Sequence, residues 1–231
     1  MKSVIKGDFY FPGEVIKDVK SKDKQTIIGP GLRRNEDDPN TLVVSLAGIL
    51  HHKPPNTFWI EGNRNRYIPK RGDLVVGVVV KKSTDQLKVD IGSAETASLS
   101  MLAFEGATKK QKPDVQVGDA VYAKVLNARK EMEPELVCID AYYKAGRLGV
   151  LSNDGFLMNI SLKLVHSLLN IENPLLRILG KKFPYEVAVG VNGKVWIRAN
   201  RSRDVLIVCQ AFRAAEHQND KSIVELCRQY L

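Results

Sequence analysis

The residues best suited to chemistry in this sequence are a run of cations, Lys109-Lys110-Gln111-Lys112. Clustered lysines can neutralise successive phosphates of a nucleic acid strand. The same run also fits the solvated surface of a loop, because charged residues in loops usually face water. The residues of this lysine loop alone leave both alternatives open.

Other cations and two aromatic residues lie around this run. The cations fall near the ends of predicted strands, where they either extend a basic patch or form a solvated face; they are Lys81, Lys82, Lys88, Arg129 and Lys130. Phe104 and Tyr122 are candidates for stacking on bases. Aromatic residues in a strand-rich segment also serve as core, so both aromatic positions keep a structural alternative.

A second motif, Gly190-Val191-Asn192-Gly193, has two interpretations. Nucleic-acid-binding domains of the KH type use a G-x-x-G loop to grip the phosphate backbone. However, two strand-like runs flank the tetrad, and Asn-Gly is the strongest short hairpin signal. We therefore predict a buried structural hairpin, with a type I′ turn that places Asn192 and Gly193 at positive φ.

Signals for catalysis are poor. His51 and His52 are adjacent, so in a strand their side chains point to opposite faces and cannot share a metal. There is no P-loop, no H-E-x-x-H motif and no carboxylate cluster tied to a base. We expect neither enzyme activity nor a metal, a cofactor or a small-molecule substrate.

The composition favours a polyanionic partner. Lys plus Arg exceed Asp plus Glu by 35 to 26, which gives a formal charge of +9. Such an excess attracts nucleic acid at long range. The three cysteines form no C-x-x-C pair, and no apolar run is long enough to span a bilayer. We expect a soluble intracellular protein with no membrane partner.

Short hydrophobic runs predict the first two of three modules. Residues 1–70 hold brief β-like stretches broken by turn residues, so we predict a small N-terminal β domain. In residues 71–142 a valine-rich run from Leu74 to Lys82 is followed by alternation of Leu87, Val89 and Ile91 with polar residues. About five short strands in this span fit a closed five-stranded barrel of the OB type.

The last third of the chain changes character. Apolar residues recur at helical spacing from Leu162 to Leu169, and Asn170 with Asn173-Pro174 is predicted to end this segment. Two strand-like runs then precede a second helical pattern, and residues 223–231 predict a final helix. The second pattern consists of Leu206, Val208, Cys209, Phe212 and Ala215. Residues 143–231 are therefore predicted to form an α+β domain.

Several motifs agree in order and spacing with a known family. They are Gly29-Pro30-Gly31-Leu32-Arg33-Arg34, Ser98-Leu99-Ser100, Phe104-Glu105-Gly106-Ala107-Thr108-Lys109, Met132-Glu133-Pro134-Glu135 and the tetrad at residues 190–193. Over essentially its whole length, the chain closely resembles the RNA exosome cap subunits that join an N-terminal domain, an S1 domain and a KH domain.

The resemblance implies a function that composition does not. It implies an S1 barrel of the OB type, a KH-like C-terminal domain, and a non-catalytic subunit that helps to guide single-stranded RNA into a central channel for 3′–5′ processing and degradation. The implied partners are ribonuclease-PH-like ring subunits and other exosome subunits. The implied locations are nucleus, nucleolus and cytoplasm. With the family considered, the lysine loop favours RNA over a solvated surface.

Two alternatives remain at this stage. A free-standing RNA-binding factor with OB and KH domains, outside the exosome, would show the same charge and modules. A nuclease would need a metal-binding carboxylate set that the sequence does not contain.

Overall fold

The long valine-rich strand at residues 74–82 begins directly after a turn, and the helix at residues 162–169 carries apolar residues three or four positions apart. The computed structural model describes residues 2–3, 8–17, 26–38, 40–54, 56–62, 66–129, 131–170 and 173–216. The candidate cation Lys130 and the helix predicted at residues 223–231 lie outside these ranges. The chain divides into two compact units, residues 1–64 and residues 65–231.

The described residues of the first unit form two four-stranded sheets. Their orders are β1-β3-β6-β5 and β2-β7-β8-β4. The strands are β1 (Lys2–Ser3), β2 (Phe9–Tyr10), β3 (Val15–Lys17), β4 (Ile27–Ile28), β5 (Leu32–Arg34), β6 (Leu42–Val44), β7 (Gly48–Lys53) and β8 (Thr57–Glu61). Tyr10, Ile16 and Leu50 are fully buried in the core that both sheets share. This architecture confirms the predicted N-terminal β region.

The first strand of the barrel in the second unit has the bounds of the predicted valine-rich run. Its strands are β9 (Leu74–Lys82), β10 (Gln86–Asp90), β11 (Ala97–Ser100), β12 (Ala120–Asn127) and β13 (Glu135–Val137). The sheet runs β13-β11-β10-β9-β12, and pairing of β12 with β13 closes it. Alternate residues of each strand, such as Val75, Val79 and Leu87, point inward and are buried. The predicted five-stranded barrel is confirmed.

The remaining elements form a three-stranded sheet with helices. After β14 (Gly149–Val150), which pairs with β12, come β15 (Phe156–Asn159), α1 (Leu162–Leu169), α2 (Leu175–Lys182), β16 (Tyr185–Val189), β17 (Lys194–Ala199) and α3 (Ser202–Ala215). The sheet order is β15-β17-β16. The KH-like α+β region is thus confirmed, while the division after residues 70 and 142 stays a prediction.

Two details of this region differ from the sequence prediction. Pro174 does not end a helical segment but stands at the start of α2, where the Asn173 side chain accepts a hydrogen bond from the Leu175 N–H at 2.9 Å. Leu206 belongs to the second predicted helical pattern, yet its side chain is 60% exposed. The other residues of that pattern, Val208, Cys209, Phe212 and Ala215, are buried as predicted for one face of a helix.

Candidate nucleic-acid interface

The outer face of β10 and β11 carries a short polar row. Lys88 lies opposite Lys81 of β9 on one side and opposite Ser98 of β11 on the other, so all three side chains project from the same face. OB-type barrels bind oligonucleotides on the face of their second and third strands, together with the loops beside it. In this barrel those strands are β10 and β11.

The lysine loop lies at one end of this face, in the connection between β11 and β12. Lys112 Nζ donates hydrogen bonds to the Thr84 carbonyl oxygen at 2.6 Å and to Asp85 Oδ1 at 2.8 Å. The hydrogen bond and the charge of Lys112 hold the pKa of Asp85 below its usual range, and Lys109 adds a smaller effect of the same sign. Lys112 therefore anchors the loop to the turn between β9 and β10.

Lys109 and Lys110 differ from Lys112 in this respect. Both are exposed, and among the residues that the structure describes no ion pair involves either of them. Their ammonium groups are directed to solvent by a loop that Lys112 holds in place. The loop thus separates one anchoring lysine from two lysines that are available to a ligand.

The predicted patch is divided between the two ends of the barrel. Lys81 and Lys82 finish β9 beside the lysine loop, and both are exposed. Arg129 follows β12, which runs antiparallel to β9, so Arg129 lies at the far end. Lys88 forms an ion pair with Glu133 in the connection after β12. Of the patch cations that the structure describes, only Lys81 and Lys82 therefore lie beside the lysine loop, and Lys88 is already in an ion pair.

The burial of Phe104 contradicts its predicted role as a stacking residue. The ring is 9% exposed and packs in the barrel core with Met101 and Val115. A ring enclosed in this way presents no face to a base. Tyr122 lies on the outer face of β12 and is half-buried; burial raises the pKa of its hydroxyl, against the opposing charge of Arg147.

The G-V-N-G tetrad forms the turn between β16 and β17, but it is not the predicted type I′ turn. Gly193 has φ +84°, whereas Tyr143 is the one non-glycine with positive φ in the described ranges, so Asn192 does not have one. The Gly193 N–H donates to the Gly190 carbonyl at 3.1 Å. A three-residue loop with a left-handed residue at its end commonly has this pattern.

The Asn192 side chain is buried against the barrel. Its Oδ1 accepts from the Val76 N–H at 3.2 Å, and its Nδ2 donates to the carbonyl oxygens of Val76 at 2.7 Å and Ile91 at 2.8 Å. The backbone groups of Val76 are accessible because β10 pairs with β9 only at residues 78–82 of β9. The Asn192 side chain therefore makes hydrogen bonds to β9 at the position where β10 no longer pairs with it.

Neighbouring contacts reinforce this junction. The Val191 N–H donates to the Leu74 carbonyl at 2.8 Å, and the Gly190 N–H donates to the Lys194 carbonyl at 3.0 Å. Lys194 Nζ donates to Asp90 Oδ2 at 2.7 Å. Partial burial acts to raise the pKa of Asp90, but the hydrogen bonds from Lys194 and the Gly92 N–H bring it below its usual range. The tetrad's N–H groups at residues 190, 191 and 193 are thus engaged within the protein.

Titratable residues elsewhere show no arrangement for metal chemistry. No group of three or more His, Cys, Asp or Glu side chains within the described ranges could hold a metal ion. His51 stacks on Trp59 and lies 2.8 Å from Glu61, while His52 stacks on Phe58. Cys138 is buried, which raises the pKa of its thiol to about 12. In the part of the chain that the structure describes, no helix is long and apolar enough to cross a membrane.

Comparison with known families assigns each part of the chain. Residues 67–149 match the model for the S1 domain of exosome complex component RRP40. Residues 2–63 match the model for the mammalian RRP40 N-terminal region, and residues 155–203 match a KH domain model. A Drosophila melanogaster protein named exosome complex component RRP40 is 47% identical over 218 residues, which cover 94% of this chain and 92% of the relative.

The chain belongs to the RRP40 family of exosome components. The human RRP40 protein is 42% identical over 199 residues, covering 84% of this chain and 71% of the relative. A crystal structure of a candidate exosome complex RNA-binding protein shares the fold, with a TM-score of 0.59 and 23% identity over 72% of this chain and 97% of that one. The family resemblance inferred from the motifs is confirmed.

Proposed function

We propose that this RRP40 family member is a non-catalytic RNA-binding subunit that guides single-stranded RNA into the central channel of the exosome. The observation that carries the proposal is the lysine loop, which Lys112 anchors beside the β10–β11 face and which leaves Lys109 and Lys110 exposed. An anchored loop holds its two free cations at a defined place, so that they can track a phosphate backbone.

The proposed partners are single-stranded RNA, the ribonuclease-PH-like ring subunits, whose ring the chain would help to stabilise, and the other exosome subunits. The relatives' name, exosome complex component, supports an assembly, and the charge of +9 supports a polyanionic ligand. The proposed locations are the nucleus, the nucleolus and the cytoplasm, where RNA is processed and degraded.

The absence of catalysis is tested on the purified chain. Because the described residues contain no metal-binding cluster, we expect no degradation of single-stranded RNA in Mg²⁺ or Mn²⁺. Degradation that copurifies with the chain, and disappears when one of its own carboxylates is replaced, would show that it is an enzyme.

Guidance is tested in the assembled complex. Lys109→Gln with Lys110→Gln should raise the RNA concentration needed for half-maximal 3′–5′ degradation, while the rate at saturating RNA is unchanged. The matched control is Lys181→Gln with Lys182→Gln, an exposed adjacent pair at the end of α2 that carries the same charge. Equal effects of the two pairs would show that net charge, and not the lysine loop, attracts RNA.

Assembly is tested by size-exclusion chromatography of native extract, probed for this chain. We expect elution in a complex far larger than 25.8 kDa. Elution as a free monomer would favour the alternative, a free-standing OB/KH RNA-binding factor.

A further inference from the structure

Two adjacent tyrosines stand out on the surface of the second unit. Tyr142 is 82% exposed and Tyr143 is 78% exposed, in the connection that follows β13. Single exposed apolar residues are common, but two large neighbouring rings directed to solvent are a marker of an interaction site. They lie outside the lysine loop at residues 109–112.

The backbone around these tyrosines is held in a fixed shape. Asp140 Oδ1 accepts hydrogen bonds from the Tyr142 N–H at 2.8 Å and from the Lys144 N–H at 2.9 Å. The Asp140 N–H donates to the Lys144 carbonyl at 2.8 Å. Within this turn Tyr143 has φ +61°, a conformation that is costly for a bulky residue. The loop presents both rings at the expense of local backbone strain.

The segment at residues 140–147, which we call the tyrosine turn, lies next to the lysine loop. The Ala145 N–H donates to Glu105 Oε2 at 2.8 Å, and the Cys138 N–H donates to the Ala103 carbonyl at 2.9 Å. Glu105 and Ala103 lie in the same β11–β12 connection as Lys109. Both segments therefore lie at the same end of the barrel.

The charges around the rings indicate which class of partner fits. Lys144 and Arg147 are exposed on the tyrosine turn itself, and Lys109 and Lys110 are exposed on the adjoining loop. A surface that combines exposed rings with several exposed cations complements a strand whose phosphates are negative and whose base faces are open. A duplex would hide those faces, so the complementary ligand is single-stranded.

We propose that Tyr142 and Tyr143 form a stacking platform for unpaired bases of RNA, beside the lysines that contact its phosphates. This proposal rests on the proposed RNA-binding function and adds a base-contacting element to it. Stacking on aromatic rings tolerates any base, because every base has a π-face. The platform would hold the strand without selecting its sequence.

The test replaces the rings while preserving the turn. Tyr142→Ala removes one ring, and Tyr143→Gly removes the other from a position where glycine adopts the observed φ without strain. The double variant, in the assembled complex, should bind single-stranded RNA about 5-fold or more weakly per ring lost. The slope of log affinity against log salt should not change, because no phosphate contact is removed.

Two controls make the result specific. Tyr142→Phe with Tyr143→Phe keeps both rings and should bind like the unchanged protein. An oligonucleotide with a run of abasic positions has the phosphates without the bases, and the Ala/Gly variant should bind it as well as the unchanged protein does. Loss of affinity on the ordinary strand alone is the expected signature of stacking.

Other outcomes would overturn the platform. Unchanged affinity for ordinary RNA, or equal loss on ordinary and abasic strands, would show that the rings contact no base. Poor incorporation into the complex with unchanged RNA affinity would mean that the rings meet a protein. If Lys109→Gln with Lys110→Gln weakens binding in the same assay while the tyrosine variant does not, the proposed function stands and the platform fails. If neither variant matters, both fail.

Discussion

The two ends of the S1 barrel differ in how the polar residues beside them are used. At one end, which we call the closed end, the turn at residues 190–194 inserts Asn192 against the unpaired edge of β9. At the other, the open end, the lysine loop is anchored by Lys112 but leaves Lys109 and Lys110 directed to solvent. One end is used to join two parts of the chain, and the other remains available to a ligand.

The two ends differ in whether their polar side chains are buried and hydrogen-bonded or exposed to water. Burying an amide is costly unless each donor and acceptor finds a partner, and Asn192 finds three backbone partners. An exposed ammonium group costs little because water solvates it, and it keeps its charge for a polyanion. Substitutions at the closed end should therefore change stability, whereas substitutions at the open end should change RNA binding.

The largest effect is expected for Asn192→Ala. Removing the amide leaves the Val76 N–H and the carbonyl groups of Val76 and Ile91 buried without their partner. The free energy of unfolding should fall by about 3–5 kcal/mol. Thermal or denaturant unfolding of the purified chain measures this change.

The matched control is Asn153→Ala, which removes an exposed asparagine from a turn. Its effect on stability should lie within about 0.5 kcal/mol. Asn192→Asp sharpens the test, because it keeps the volume but sets a carboxylate oxygen against two carbonyl oxygens. If Asn192→Asp is as stable as the unchanged protein, the hydrogen bonds of the Asn192 side chain do not stabilise the closed end.

A smaller loss of stability is expected for Gly193→Val. A β-branched residue at φ +84° carries a left-handed backbone penalty of roughly 1–2 kcal/mol. The added Cβ would also lie 2.8 Å from the Ile160 carbonyl oxygen, closer than such atoms approach. We expect a total loss of about 2–3 kcal/mol, measured by thermal unfolding, with RNA binding by the folded fraction retained.

Gly72→Val separates the two causes. Gly72 has φ +93°, but a Cβ there would meet no atom within 4 Å. It should show the backbone penalty alone, about 1–2 kcal/mol. Normal melting of Gly193→Val with selectively poorer RNA binding would instead assign the tetrad to a phosphate clamp and reverse the roles of the two ends.

The barrel could be predicted from sequence because its signal is local. The valine run at residues 74–82 and the alternation of Leu87 and Val89 with polar neighbours fix strand positions and inward faces without reference to any distant residue. Helix α2 is absent from the sequence prediction although its signal is local: Leu175, Ile178 and Leu179 have helical spacing directly after Asn173-Pro174.

The state of each candidate site residue depended on partners far away in the sequence. Asn192 lies 116 residues from Val76, Lys112 lies 27 residues from Asp85, and Lys88 lies 45 residues from Glu133. No local pattern distinguishes a lysine that anchors a loop from one that is free. The negative φ of Asn192 likewise follows from its insertion against β9, which overrides the preference of an isolated Asn-Gly pair.

At the open end the effect is on binding. Lys109→Gln with Lys110→Gln should flatten the slope of log affinity against log salt by about 1.4, since each phosphate contact to a single strand contributes about 0.7. The melting temperature should not change, because both side chains are exposed. The measurement is RNA titration of the assembled complex over a salt series, with Lys181→Gln and Lys182→Gln as the charge-matched control. An unchanged slope would show that Lys109 and Lys110 contact no phosphate and are only solvated surface residues.

The smallest effect on RNA binding is expected for Lys112→Gln. This variant tests whether Lys112 anchors the lysine loop while Lys109 and Lys110 contact phosphates. Since Lys112 Nζ already donates to Thr84 and Asp85, it contributes no phosphate contact, and the salt slope should stay unchanged.

The pKa of Asp85 is held below its usual range mainly by Lys112, so it should rise in this variant and rise less in Lys109→Gln. Because the folded-state pKa is lowered, the anchoring ion pair is present above the ordinary aspartate pKa and is lost as the pH falls through the lowered value. Carboxyl NMR titration of Asp85 measures both shifts. A slope that flattens as much as for Lys109→Gln would show that Lys112 leaves Asp85 to contact RNA, and the loop would then act with three free lysines and no anchor.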